Sequence, residues 1–104
     1  MIFKKQISIY SNLVVKTLRM LAVEAIAQAK SGHPGIALGA APIIYALFRD
    51  HLNFNPKNLN YFNRDRFVLS AGHGSALLYA TMLLSKYESI TIEDLKKFRQ
   101  LNSR

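Results

Sequence analysis

Two of the three histidines in this 104-residue chain sit beside glycine. His33 lies in Ser31-Gly32-His33-Pro34-Gly35, and His73 lies in Ser70-Ala71-Gly72-His73-Gly74-Ser75. An imidazole exchanges protons near neutral pH and can donate a hydrogen bond to a developing oxyanion. The residue before a proline is biased toward extended backbone, which throws the His33 ring outward from its turn. His73 stands between a β-prone run, Phe67-Val68-Leu69, and an apolar segment opening at Ser75. A helix starting there presents unpaired N–H groups and a partial positive charge. With glycines that let an anion approach the backbone, such a turn can hold a phosphate or diphosphate, His73 adding a donor. On spacing alone the plainer reading stands beside this one: both histidines are ordinary turn residues.

The other candidates carry less chemistry. His51 follows Asp50 at a helix end and reads as exposed or helix-capping. Asp65, between Arg64 and Arg66, reads as a local ion-pair partner, and Glu24 as solvated. There is no Gly-x-Gly-x-x-Gly, no phosphate-loop lysine motif and no His-Glu-x-x-His. No base is placed by spacing near a serine or threonine. The chain has no cysteine, which excludes a disulfide framework and a thiolate metal site and suits a reducing cytosol.

These residues need elements to hold them. Residues 12–30 read as an amphipathic helix with Val14, Leu18, Leu21, Ala22, Ala25, Ile26 and Ala29 on one stripe. Ser11 or Asn12 can cap its start, and Lys30, a left-handed Gly32 and Pro34 stop it. A second helix is expected from about Gly39 or Ala40 to Leu52, with Ile43, Ile44, Leu47 and Phe48 on its apolar face and Pro42 in its first turn. Residues 53–66 read as a polar connector, and Phe67-Val68-Leu69 as a short buried strand. Ser75–Ser85 is apolar all round, the pattern of a buried helix. Thr91 and Asp94 make a capping-box pattern for a last helix reaching about Arg99, after which Leu101-Asn102-Ser103-Arg104 bring no closing element. One strand with three or four helices reads as an α/β chain in which helices dominate, and it cannot by itself close a doubly wound sheet.

Half the residues are apolar, and the net charge is +8. That charge is confined to the ends. Lys4, Lys5, Lys16 and Arg19 lie in the first 20 residues, and Lys96, Lys97, Arg99 and Arg104 in the last nine, while residues 21–95 balance to zero. A nucleic-acid groove wants its basic groups on one continuous face, so a basic helical module binding nucleic acid or protein is the second reading. The opening Met1-Ile2-Phe3-Lys4-Lys5-Gln6 is basic, but Ile7–Asn12 is too short and polar for a signal core. No apolar run reaches the roughly 18 residues of a membrane span. No nucleic-acid or membrane partner is expected.

Several motifs in order resemble one enzyme family. Ala29-Lys30-Ser31-Gly32-His33-Pro34-Gly35, Ala37-Leu38-Gly39-Ala40-Ala41-Pro42 and Arg64-Asp65-Arg66-Phe67-Val68-Leu69-Ser70-Ala71-Gly72-His73 are similar to the beginning of transketolases. So are Ala76-Leu77-Leu78-Tyr79 and Glu93-Asp94-Leu95-Lys96-Lys97-Phe98-Arg99-Gln100-Leu101. The likeness runs from about residue 13 to the end. Leu59 and Tyr61 stand where the family often has Pro and Trp. Deoxyxylulose-phosphate synthase shares the general layout and is an alternative within thiamine enzymes; its likeness around Gly72-His73 is weaker.

The resemblance implies a thiamine diphosphate enzyme that moves a two-carbon glycolaldehyde unit from a ketose phosphate to an aldose phosphate in the pentose phosphate pathway. It implies that His33 is catalytic and contacts substrate, and that His73 binds cofactor near its diphosphate. It implies magnesium or calcium as the metal, with ligands on a Gly-Asp-Gly segment and an asparagine outside these 104 residues. Residues 1–104 are then the first part of a doubly wound diphosphate-binding domain. The rest of such a polypeptide, a homodimeric partner sharing the active site, sugar phosphate substrates and a cytoplasmic setting are implied with it. The 104-residue chain alone is expected to be inactive.

Overall fold

The structure, a computed structural model, describes residues 2–101, with side chains from Tyr10 onward. The expected charges at Lys4 and Lys5 fall where side chains are not described. Asn102, Ser103 and Arg104 lie outside the described residues. The chain forms four α-helices: α1 (Ile2–Ala29), α2 (Pro34–Ala46), α3 (Ser75–Leu84) and α4 (Ile92–Lys96). A π-helical turn, Leu47–His51, extends α2, and a 3-10 turn, Gly72–Gly74, leads into α3.

Helix α1 is the spine, packing against both α2 and α3, while α4 closes against α1 and α3. The expected stripe faces inward: Leu18, Ala22 and Ala25 are buried, and Val14, Leu21, Ile26 and Ala29 pack against them. The core otherwise comes from Ala37, Ala41, Ile44 and Phe48 of α2 and its extension, Ala76, Leu77 and Ala80 of α3, and Leu95 and Phe98 around α4. Half of these twelve buried residues are alanine. Small side chains at the contacts let the helix backbones approach closely, so packing here rests on proximity rather than on bulky layers. An aromatic chain extends the core toward the connector: Phe48 meets Phe54 and Phe67 edge-on at 5.4 and 5.5 Å, and Phe54 stacks on Tyr87 at 5.7 Å. Partial burial there pushes the Tyr87 phenol pKa above its ordinary value.

Several expectations need correction. Helix α1 runs from Ile2 rather than from residue 12, because no glycine or proline interrupts residues 2–11. Ser11 is therefore not a cap: its hydroxyl accepts from Arg49 Nη1 at 2.8 Å and meets the Tyr45 hydroxyl at 3.4 Å. Helix α2 starts at Pro34, with His33 as its N-cap residue in extended backbone, φ −121 and ψ 93. Pro34, not Pro42, is the proline of the first turn. The buried stripe is Ala37, Ala41, Ile44 and Phe48, so Ile43 of the expected face is 70% exposed.

Pro42 lies inside α2 and cannot donate to the carbonyl four residues back. That carbonyl, Leu38 O, instead accepts from Arg19 Nε of α1 at 2.9 Å. The bond missing within one helix has become a bond between two.

The predicted strand does not form among the described residues. Residues 67–69 form no regular element and the chain bends at Ser70, yet Phe67, Leu69 and Ala71 are half-buried and Val68 and Ser70 exposed, the alternation of a strand. Among the described residues no backbone hydrogen bond reaches residues 66–69, because no second strand lies beside them. Asp65 is a further correction. It pairs with Asn53, which donates its N–H to Asp65 Oδ2 at 2.6 Å while Asp65 N–H donates to Asn53 O at 2.6 Å. Its neighbouring arginines bond backbone carbonyls instead, Arg64 to Tyr61 O and Arg66 to Arg64 O.

The helix ends follow local chemistry. At the end of α1, Ser31 N–H donates to Ile26 O at 3.3 Å and Lys30 N–H to Ala27 O at 3.2 Å, the paired bonds of a Schellman motif. Lys30 is left-handed at φ 53, and Gly32, the residue the sequence suggests, also takes a positive φ, 143. The end of α3 repeats the device around Lys86, φ 66, with Tyr87 N–H on Met82 O and Lys86 N–H on Leu83 O. The capping box at Thr91 and Asp94 forms as expected. It starts a shorter helix than expected, which gives way at Lys97 to a turn holding Arg99 left-handed, φ 57.

Candidate functional site

His33 and His73, forty residues apart, face each other. Their ring centroids are 5.5 Å apart and their planes 80° apart, an edge-to-face contact. Both side chains are exposed. Each occupies the entry to a helix: His33 caps α2, and His73 sits in the turn before α3. Two helix N-termini thus meet at one place, each carrying unpaired N–H groups and partial positive charge.

The way the chain reaches this arrangement is visible in two glycines. Gly32 has φ +143, a conformation side-chain-bearing residues rarely adopt, and a Cβ there would stand 2.8 Å from Ile26 Cγ1. It lets the chain leave α1 and turn directly into His33-Pro34. Gly74 is buried, and a Cβ there would meet Ile36 Cδ1 at 3.3 Å. Ile36, in the first turn of α2, therefore rests on the last residue of the 3-10 turn. Gly72 N–H closes on Ser70 O at 3.1 Å and Gly74 N–H on Ala71 O at 2.8 Å, which compacts the turn and holds His73 at its crest. A Cβ at Gly72 would meet nothing within 4 Å, so the surface beside His73 is open.

The donor set suits an anionic, hydroxyl-bearing ligand: two solvent-facing imidazoles, a glycine turn and paired helix N-termini. Among the described residues no group of three or more His, Cys, Asp or Glu could hold a metal ion. His51 and Glu24 take no part: both are exposed, His51 in the π-helical turn and Glu24 on α1. The sequence reading missed Arg99 as a neighbour of this place. It donates from Nη1 to Ser31 Oγ at 2.8 Å, across 68 residues of sequence. Only its position next to Phe98, an apolar residue late in the chain, hinted that it would be brought back.

Two exposed histidines meeting at the entries to two helices mark this end of the helical frame as the candidate site. The chain belongs to the transketolase family: residues 10–104 match its thiamine diphosphate binding domain. A transketolase of Nostoc is 55% identical over 92 residues, covering 88% of this chain and 14% of that protein. One from Aquifex aeolicus is 56% identical over 92 residues, 13% of its length. The crystal structure of a Pichia stipitis transketolase in complex with sedoheptulose 7-phosphate superposes with a TM-score of 0.85 at 54% identity, covering 89% of this chain and 14% of that one. A Campylobacter jejuni transketolase gives a TM-score of 0.81 at 52% identity. The chain thus spans about one seventh of the relatives it matches.

Proposed function

We propose that this chain is the first part of the α/β, doubly wound diphosphate-binding domain of a transketolase, and that His33 and His73 face one thiamine diphosphate and its sugar substrate. The observation that carries this is the 5.5 Å contact between two imidazoles that start far apart in sequence. Two turn histidines with purely local roles have no reason to converge on an open surface.

When bound, thiamine diphosphate supplies a carbon centre able to accept and release a two-carbon glycolaldehyde unit. The chain's own residues serve it in different ways. His73, between open Gly72 and the start of α3, donates to a diphosphate oxygen, where the helix N-terminus adds favourable charge. His33, at the start of α2, reaches the sugar: its imidazole donates to the substrate oxygen as negative charge develops there and takes a proton from a substrate hydroxyl. The two roles need adjacent rings, because the reacting sugar lies against the cofactor. A magnesium or calcium ion, held by residues outside 1–104, would supply the charge that counters the diphosphate. The assembled enzyme is a cytoplasmic homodimer acting on sugar phosphates of the pentose phosphate pathway, with no nucleic-acid or membrane partner. Among the described residues no helix is long and apolar enough to cross a membrane.

The test is transplantation. Residues 13–101 replace the matching segment of the Nostoc transketolase, and transfer from fructose 6-phosphate to an aldose phosphate is followed with thiamine diphosphate and magnesium. The chimera is expected to be active, and the 104-residue chain alone inactive under the same conditions. An inactive but folded and dimeric chimera would sink the reading.

A further inference from the structure

Arg99 reaches the turn that carries His33 from the far end of the chain. It follows Phe98, which is buried and meets Tyr79 edge-on at 6.2 Å. Its own backbone is left-handed, φ 57, a conformation costly for a side chain with a Cβ. That backbone turns the chain after α4 and leaves the guanidinium 5.7 Å from the centroid of the Phe98 ring. From there Nη1 donates to Ser31 Oγ at 2.8 Å. Only Gly32 separates Ser31 from His33.

Apart from this bond and the His33–His73 ring contact, the turn at residues 30–33 is held from one side. Its Schellman bonds run to Ile26 and Ala27, and Gly32 lies on the Ile26 side chain, all within α1. Among the described residues Arg99 is the one side chain from another element that hydrogen-bonds this turn. A guanidinium is suited to the task, since its flat face packs on an aromatic ring while its edge donates; an ammonium cannot do both with fixed geometry.

We propose that Arg99 is a positioning residue: anchored by Phe98 and acting through Ser31, it fixes the Gly32-His33 turn so that the His33 imidazole stays against His73. Its relevance to catalysis rests on the assignment of both histidines to one thiamine site. Its geometry is testable without cofactor.

The experiment is NMR on the 104-residue chain with isotope-labelled histidine, reading the cross-relaxation between the His33 and His73 rings. The unsubstituted chain is expected to show the ring–ring cross-peak. Arg99→Ala and Ser31→Ala are each expected to lose it while the amide signals of Leu18, Ala22 and Leu77 stay in place. Ser31→Thr, which keeps a hydroxyl, is expected to retain it, an outcome that mere loss of stability does not produce. Should Arg99→Ala fail to fold, Ser31→Ala decides, because it removes one exposed hydroxyl and no packing. An undiminished cross-peak in folded Ser31→Ala overturns the positioning role and leaves the shared site standing. Absence of the cross-peak in the unsubstituted chain overturns both.

Discussion

The division of labour between His33 and His73 is a claim about two side chains, and substitution separates them. In the active chimera, His33→Ala is expected to lower kcat by about 100-fold or more, the range for a lost proton-transfer group, with a small change in thiamine diphosphate affinity. His73→Ala is expected to weaken thiamine diphosphate binding by about tenfold, the loss of one charge-assisted hydrogen bond of roughly 1.5 kcal/mol. Steady-state kinetics and a cofactor titration read the two quantities; equal effects of both substitutions on both would remove the distinction. The histidines themselves were legible, because glycine and proline beside them marked helix seams. Their meeting could not be read from spacing, since no local pattern says which turns converge; it entered only as what the family resemblance implied. Asp65 shows the reverse error. Adjacent arginines suggested ion pairs, yet exposed ion pairs of that kind stabilise little, and the carboxylate instead fulfils a backbone N–H that closes the connector.

At the level of helices, the sequence was most informative where periodicity and stop signals agreed. The inward stripe of α1 and the capping box of α4 could be read directly, each set by short-range geometry. The starts of α1 and α2 were misplaced because a capping residue such as Ser11 can equally sit inside a long helix, and because two prolines competed for one first turn. The predicted strand failed for a different reason: pairing is a property of neighbours, and Phe67-Val68-Leu69 has the alternation of a strand without a partner. Pro42 yields a quantitative expectation. Arg19→Ala should cost about 1 kcal/mol, the net worth of one hydrogen bond to an otherwise orphaned carbonyl. In a Pro42→Ala background the restored N–H reaches Leu38 O, and the same substitution should cost markedly less, giving a coupling of at least about 0.5 kcal/mol. Denaturant unfolding of the four variants measures it; simple additivity would show that Arg19 does not take over the bond that Pro42 lost.

For the molecule as a whole, the notable quantity is the apolar surface left in water. Ile43, Phe62 and Val68 are 70%, 89% and 84% exposed, and Tyr10, Leu13 and Met20 are exposed along α1. Helix α3, apolar all round in sequence, buries only one side, with Tyr79 and Leu84 outward. A composition that is half apolar is more than four short layers of helix can cover. The purified chain is therefore expected to bind the dye ANS and to enhance its fluorescence several-fold over an ordinary folded domain of its size, with native helicity retained. Fluorescence no higher than that of such a control would mean these side chains find cover in solution.

The unpaired stretch at residues 66–69 adds direction to that stickiness. With no backbone bond made on either side among the described residues, its main chain offers hydrogen-bonding rows along both margins. Growth from such a ribbon is not limited to pairs: each molecule added presents a fresh margin to the next, so storage at high concentration favours fibrils over dimers, and a charged residue written in at Val68 is the simplest gatekeeper.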